Sequence, residues 1–146
     1  MQPHIEINYL AVIVAAAAQF AVGWLWHGPL FGKLWAKEMN MSMENMPDKS
    51  VMVRGMTLSI VGSLLIVYIL AHSALVWRPS VWGVGADQAD HVYGFFAAFF
   101  TWVGFFVPQA LSAVAWEGRS WKLFGINTGY HFVSLQVAGM ILAYWR

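Results

Sequence analysis

The 146-residue sequence contains no cysteine, which excludes disulfide bonds, thiolate metal sites and cysteine nucleophiles. Charged residues are also scarce, at 10% of the chain, whereas hydrophobic residues make up 60%. A soluble domain of this length has too small an interior to bury so much apolar surface. The composition therefore excludes an ordinary soluble protein and predicts an integral membrane protein.

The few charges give a formal net charge of +1 and lie between the apolar stretches of the chain. Because no basic patch extends beyond these connections, we expect no nucleic-acid partner. The N-terminal segment MQPHIEINYL lacks the positive region of a secretory signal peptide. We therefore expect the first apolar run to be retained as a helix.

Four apolar runs, each close to the length of about 20 residues that crosses a bilayer, dominate the sequence. They extend approximately over residues 8–27, 55–77, 91–115 and 122–144. This pattern predicts one all-α integral membrane domain over residues 1–146, in which four transmembrane helices form a compact bundle. We expect the first helix to end at Gly28-Pro29, because proline cannot continue a helical hydrogen-bond ladder.

A polar connection over residues 28–54 joins the first two runs. Leu30, Phe31, Leu34 and Trp35 recur there at helical spacing, which predicts a short amphipathic helix at the membrane surface. Its segment MNMSMENM offers thioethers, which are ligands for copper(I). No cysteine or histidine accompanies them, and gap-filling is the commoner use of methionine, so we expect neither a metal site nor another cofactor.

Lysine and arginine are distributed unevenly between the two sets of connections. The connections after the first and third runs contain Lys33, Lys37, Lys49, Arg54, Arg119 and Lys122. The opposite side contains only Arg78 and Arg146. The positive-inside rule therefore predicts that both termini lie outside the cytoplasm.

The fourth run carries polar side chains at a depth where water is scarce. Asn127, His131 and Ser134 fall on one side of the predicted helix, where Gln19 of the first run or Gln109 of the third can face them. We call these five residues the polar stripe. Intramembrane polar groups often mark a transport path or a substrate contact. They also simply hydrogen-bond between helices, and this is the interpretation that we favour.

No catalytic site is indicated. Ser134 and His131 are close enough on one helix to touch, but no carboxylate shares their side to orient the imidazole. The acidic residues fall in the connections, and no two histidines have the i, i+4 spacing of helical metal ligands. We therefore expect no enzymatic activity.

Small residues mark surfaces on which helices approach closely. They comprise Gly125 and Gly129, with the nearby Gln136, on the fourth run and Gly55, Ser59 and Gly62 on the second. Because the fourth run has this second face opposite Asn127, it is expected to have two protein neighbours. The leading functional hypothesis is therefore self-association, or service as an accessory subunit of a larger membrane complex.

The third run has an aromatic side, formed by Phe95, Phe99, Trp102 and Phe106, which we expect to face lipid. This side supports an alternative function, the binding of a lipid or quinone. Basic and aromatic residues at the connection ends are candidate contacts for lipid headgroups. These candidates are Lys33, Trp35, Arg119 and Lys122. A further alternative is a small transporter or channel with a path near Gln19, Asn127 and His131.

Three segments carry a resemblance to a known family. INYLAVIVAA near the N-terminus, WHGPLFGKLWAKE after the first run and EGRSWKLFGINTGYHFVSL around the fourth together resemble the bacterial DUF1761 family. The resemblance spans nearly the whole chain. It implies a small four-helix protein of the bacterial inner membrane, and it supplies no catalytic residues because the function of the family is unknown.

Overall fold

The computed structural model of the chain describes residues 3–42 and 47–146. Residues 43–46, which belong to the methionine-rich segment, lie outside the described residues. Every regular element in the described residues is helical, so the all-α prediction is confirmed.

The described residues form six α-helices. These are α1 (Tyr9–Leu25), α2 (Gly32–Glu38), α3 (Lys49–Val76), α4 (Asp90–Thr101), α5 (Val107–Glu117) and α6 (Trp121–Tyr144). Wide π-helical turns cover Trp26–Leu30 and Trp102–Phe106, and a 3-10 turn covers Pro79–Trp82. The short helix α2 lies in the connection where an amphipathic helix is expected. Helix α3 begins six residues before the expected boundary at residue 55, because the polar residues at its start are helical as well.

Three helical stretches are long and apolar enough to cross a membrane, namely Tyr9–Leu30, Lys49–Val76 and Asp90–Glu117. Helix α6, the fourth expected span, has 24 residues, or about 36 Å of length. Its polar side chains lower its hydropathy, and it is not among the three described stretches that qualify.

Helix α6 tolerates polar residues because it is the central helix. It contacts each of the helices α1 to α5. Only Trp121, Lys122, Gly125, Val133 and Tyr144 among its residues are exposed. Most side chains on α6 therefore contact other residues of the protein.

The first described residues and the C-terminal residue lie at one end of the packed helices, which we call the terminal end. There the His4 backbone N–H donates to the Val81 carbonyl at 3.1 Å, and the Arg146 guanidinium lies 3.0 Å from the Asp90 carboxylate. At the opposite end, which we call the basic end, the Ser120 hydroxyl donates to the Glu38 carboxylate. This hydrogen bond joins α2 to the start of α6.

The first helical run does not stop at Gly28-Pro29 as expected. After α1 it continues past the proline as the π turn Trp26–Leu30. The Phe31 N–H donates to the Trp26 carbonyl at 2.8 Å, a spacing of five residues. A π turn of this kind accommodates the proline, which has no N–H to donate. The Trp26 indole then donates to the Ile126 carbonyl of α6 at 3.0 Å.

The second π turn lies on the aromatic side of the third run. Trp102 begins this turn, and its backbone N–H still bonds one helical turn back to the Ala98 carbonyl. Both Trp102 and Phe106, which ends the turn, pack against the buried core. The Trp102 indole donates to the Thr128 carbonyl of α6 at 2.8 Å. The prediction that this side faces lipid is therefore wrong for Trp102 and Phe106, whereas Phe95 is exposed.

Helices α4 and α6 approach so closely that their backbones touch at two glycines. A Cβ atom built on Gly94 would lie 2.6 Å from the Gly139 carbonyl oxygen, and a Cβ atom on Gly139 would lie 2.6 Å from that of Gly94. Ala98 and Ala143 complete this contact and are fully or almost fully buried. The contact therefore depends on the absence of side chains at both glycines.

A buried arginine holds the terminal end together. Arg78, which follows α3, is only 1% exposed. Its guanidinium donates to Asp90 at 2.8 Å, to Asp87 at 3.4 Å and to the Ala143 carbonyl at 3.3 Å. Its Cζ atom also lies 4.3 Å from the centre of the Tyr93 ring. One side chain thus connects the end of α3, the following connection, α4 and α6.

Arg146 completes this group of charges. Its guanidinium lies 3.5 Å from Asp87 and 3.0 Å from Asp90, so two arginines face two carboxylates. Burying a charge is costly unless it is paired and hydrogen-bonded. The balanced group meets that requirement for Arg78, although its Nε atom is buried without a partner in the described residues.

Replacing Gly94 by alanine is expected to destabilise the fold by about 1–3 kcal/mol, because the added Cβ collides with the α6 backbone. Gly125→Ala is the matched control, since no atom of the described chain beyond its own helix turns lies within 4 Å of the new Cβ. Thermal unfolding of the detergent-purified protein, followed by circular dichroism, measures both. Equal unfolding temperatures for the two variants would contradict the close contact.

Arg78→Leu is expected to reduce the free energy of unfolding by about 3 kcal/mol, the lower end of the range for breaking a buried ion pair, because Arg146 still faces the carboxylates. Arg119→Leu serves as the control. Its side chain is 44% exposed, and its ion-pair partner among the described residues is Glu117 at 3.4 Å, so its loss is expected to cost under about 1 kcal/mol. Chemical unfolding in detergent compares the two, and a smaller cost for Arg78→Leu refutes the assignment.

The fold is expected to lose stability in acid through Asp87. The backbone N–H of Ser80, which donates to Asp87 at 2.9 Å, holds the pKa of Asp87 below its ordinary value of 3.8, and the Ser80 hydroxyl and Arg78 act in the same direction. A carboxyl with a lowered pKa stabilises the fold above its unfolded-state pKa and loses that contribution as the pH falls through the folded-state pKa. Asp87→Asn should therefore flatten the decline in unfolding temperature below about pH 4, and an unchanged decline argues against this role.

Candidate functional site

A cleft of about 270 Å³ lies between α1, α3 and α6, with Phe106 of the second π turn at one wall. We call it the polar cleft. Its polar lining consists of Gln19, Ser59, Ser63, Tyr130, His131 and Ser134. Three residues of the polar stripe, Gln19, His131 and Ser134, therefore meet at one site.

Gln19 is the most constrained polar group of the cleft. It is 4% exposed, and its Oε1 atom accepts a hydrogen bond from the Ser63 hydroxyl at 2.6 Å. This bond joins α1 to α3. The amide Nε2 atom has no hydrogen-bond partner in the described residues, and it is not fully buried. Its N–H groups are therefore free to meet a group in the cleft.

The His131 side chain is in a similar position on α6. No group of the described chain hydrogen-bonds to its ring nitrogens, and neither nitrogen is sealed from the cleft. The Ser134 hydroxyl donates to the His131 backbone carbonyl at 3.3 Å, not to the ring. The imidazole therefore retains both its donor and its acceptor.

A row of rings leads from the polar cleft towards the basic end. The centre of the Phe106 ring lies 4.3 Å from that of His131, and Tyr130 lies 4.9 Å from both His131 and His27. Trp35 of α2 follows at 5.3 Å from His27. No group of three or more His, Asp or Glu residues in the described parts of the chain can hold a metal ion. The two histidines are thus aromatic neighbours of Tyr130 and not parts of a metal cluster there.

The other two residues of the polar stripe lie elsewhere. Asn127 lines a second cleft, of about 240 Å³, together with Met39, Glu117 and Arg119. Gln109 is exposed on α5. The stripe is therefore divided between two clefts and the outer surface of α5.

The second face of α6 is largely covered by this chain's own residues. A Cβ atom on Gly129 would lie 3.1 Å from the Trp26 ring, and the Gln136 amide lies 3.4 Å from the Phe95 carbonyl of α4. Gly125 is exposed. Two protein neighbours of α6 thus exist within one chain, so this face no longer argues for a second one.

The small residues of α3 are in a different situation. All residues from 49 to 61 are exposed, and the first buried residue of α3 is Val67. No atom of the described chain beyond the local helix lies within 4 Å of a Cβ built on Gly55 or Gly62. We call residues 49–61 the exposed half of α3. It leaves the other helices at the basic end and borders the polar cleft through Ser59.

The candidate headgroup contacts gather at the basic end. Lys33 and Lys122 are exposed, and Trp35 is half-buried against His27. The Arg119 guanidinium lies 3.4 Å from the Glu117 carboxylate and 3.9 Å from the Met39 sulfur. Because α2 is joined to the start of α6, these residues come from two elements on one surface.

Sequence reasoning missed Ser63, Tyr130 and Arg78. Ser63 follows Ser59 by four residues and so shares its helix face, a spacing that could have identified it. Tyr130 precedes His131, but its place between two imidazoles depends on how α1 packs. Arg78 entered only the count of positive charges, because its burial depends on Asp87 of the next connection and on Asp90 at the start of α4.

The family comparison covers almost all of these elements. Residues 10–143 match the family model described as "Protein of unknown function (DUF1761)". The chain belongs to the DUF1761 family. No curated protein and no solved structure matches the chain significantly. For this DUF1761 member, proposals about function therefore depend on the geometry of its own residues.

Proposed function

We propose that this protein crosses the membrane four times and self-associates through the exposed half of α3, without catalysing a reaction. The observation that carries the proposal is that residues 49–61 are exposed around the whole helix while the rest of α3 returns to the core. Such a helix segment has room for a neighbour on every side.

The arrangement of the helices supports four crossings. His4 and Arg146 both lie at the terminal end, and a segment whose two ends lie on one side of a membrane crosses it an even number of times. Three stretches are apolar enough to span, and α6 supplies the fourth because its polar groups face protein. The positive-inside rule then places the basic end in the cytoplasm and both termini outside, in the bacterial inner membrane that the family resemblance implies.

A second copy of the chain is the neighbour that best fits the exposed half of α3. Gly55 and Ser59 are one turn apart, and small residues at this spacing let two helix backbones approach closely inside a membrane. In a two-fold symmetric pair the same face meets itself, so both helices contribute this small face. Asp48, Lys49 and Arg54 give this end both signs of charge, which avoids a purely repulsive contact between copies.

Transport is the weaker candidate. The expected path near Gln19, Asn127 and His131 requires these side chains to line one passage. Asn127 instead lines the second cleft with Arg119, and the other two line the polar cleft. We therefore base the proposed function on the exposed half of α3.

The proposal predicts that Gly55→Cys forms a disulfide-linked dimer when membranes are mildly oxidised. Because the natural chain has no cysteine, the introduced thiol is unique. Val53→Cys is the control, since it is exposed at nearly the same depth and on the opposite side of α3. Electrophoresis under non-reducing conditions is expected to show dimer for Gly55→Cys and mainly monomer for Val53→Cys.

A second variant tests the contact without a thiol. Gly55→Leu places a large side chain on the small face and is expected to reduce dimer formation by a crosslinker added to membranes. Gly104→Leu is the control, because no atom of the described chain beyond its own helix turns lies within 4 Å of a Cβ there either. Equal crosslinking of the cysteine variants, or crosslinking only to a different protein, contradicts self-association.

A further inference from the structure

We infer that the polar cleft binds the head of a quinone-class molecule, a planar ring with neutral carbonyl groups and a long apolar tail. The inference goes beyond self-association, because the groups that recognise the head belong to α1 and α6. It is carried by the juxtaposition of the free Gln19 amide, the free His131 imidazole and an adjoining apolar groove.

The hydrogen-bonding groups of the cleft select an acceptor. The Gln19 Oε1 atom is occupied by Ser63, so this side chain presents only its N–H donors. A neutral His131 imidazole presents one donor and one acceptor. A polar group left without a partner in apolar surroundings is costly. A carbonyl oxygen in the cleft satisfies these donors, and a hydroxyl on the reduced ring can donate to the imidazole acceptor.

The absence of charge in the lining selects a neutral head. No Asp, Glu, Lys or Arg is among the residues that line this cleft in the described chain. A phosphate or carboxylate head placed there meets no counter-ion at membrane depth, where uncompensated charge is expensive. A quinone ring carries no charge, and the face of Phe106 beside His131 offers a wall against which a planar ring can stack.

The tail has a place beside the head. A groove of about 380 Å³ between α1 and α3 is lined by apolar residues, including Ile13, Phe20, Ile60 and Leu64, and it shares Ser63 with the polar cleft. On the basic-end side of the Gln19–Ser63 hydrogen bond, the exposed half of α3 leaves α1. The cleft and the groove are therefore accessible to one molecule that carries a polar ring and an apolar chain.

Titration of the detergent-purified protein with decylubiquinone, followed by quenching of tryptophan fluorescence, tests the inference. We expect saturable binding that His131→Phe and Gln19→Leu each weaken about three- to tenfold, the effect of losing one neutral hydrogen bond. Two variants on different helices keep the test informative if one of them fails to fold. Asn127→Leu is the control and is expected to bind as the wild type does, because Asn127 lines the other cleft.

Several results would overturn the inference. Unsaturable quenching, or equal weakening by Asn127→Leu, removes the assigned site. Displacement of decylubiquinone by decylbenzene at equal concentration removes the carbonyl requirement, and displacement by oleate alone favours a charged head. Gly55→Leu, which lies outside the cleft lining, separates the two proposals. If Gly55→Leu loses crosslinking but still binds decylubiquinone, this inference stands. If the natural sequence itself does not crosslink, only the proposed function is contradicted.

Discussion

The central position of α6 is the constraint on which the other elements depend. Inside a membrane no water is available to satisfy a polar side chain, so a neighbouring helix must supply its hydrogen-bond partner. Trp26 and Trp102 donate to α6 carbonyls from two different helices, and Gln136 reaches a carbonyl of α4. Each of these two indoles belongs to the first residue of a π turn.

The helical class and the approximate spans could be predicted from the sequence, because apolar length and the spacing of Gly, Pro and charge are local properties. The meeting of Gln19, His131 and Ser134 was partly predictable for the same reason, since residues three and four apart share a helix side. The separation of Asn127 from His131 was not predictable, because it depends on which neighbour covers each side of α6. The side of α4 that packs against α6 likewise depends on tertiary packing, so the sequence did not reveal that the Trp102 indole donates to the Thr128 carbonyl.

The glycines of α4 and α3 lie in opposite environments. Gly94 touches the α6 backbone, whereas Gly55 and Gly62 face open space, although all three occur in apolar helices. A glycine in such a helix therefore identifies a possible close approach without saying whether the partner belongs to the same chain. In α3 the core contacts of Val67, Leu70 and Ala74 end before the exposed half begins, so the described chain supplies no partner for Gly55.

The buried Arg78 fixes one end of α3, whereas the other end of this helix extends away from the core. Its bonds to Asp87, Asp90 and Ala143 fix α3 at the terminal end, and Val67 is its last buried residue towards the basic end. The Gln19–Ser63 hydrogen bond also holds α3 to α1. Beyond it, the arm from Ser63 to Lys49 is about 21 Å long at 1.5 Å per residue. A tilt of this arm by about 10° would move Lys49 by about 4 Å, roughly a third of a helix diameter. Because Ser59 lies on the arm and lines the polar cleft, the same tilt would change the width of the cleft.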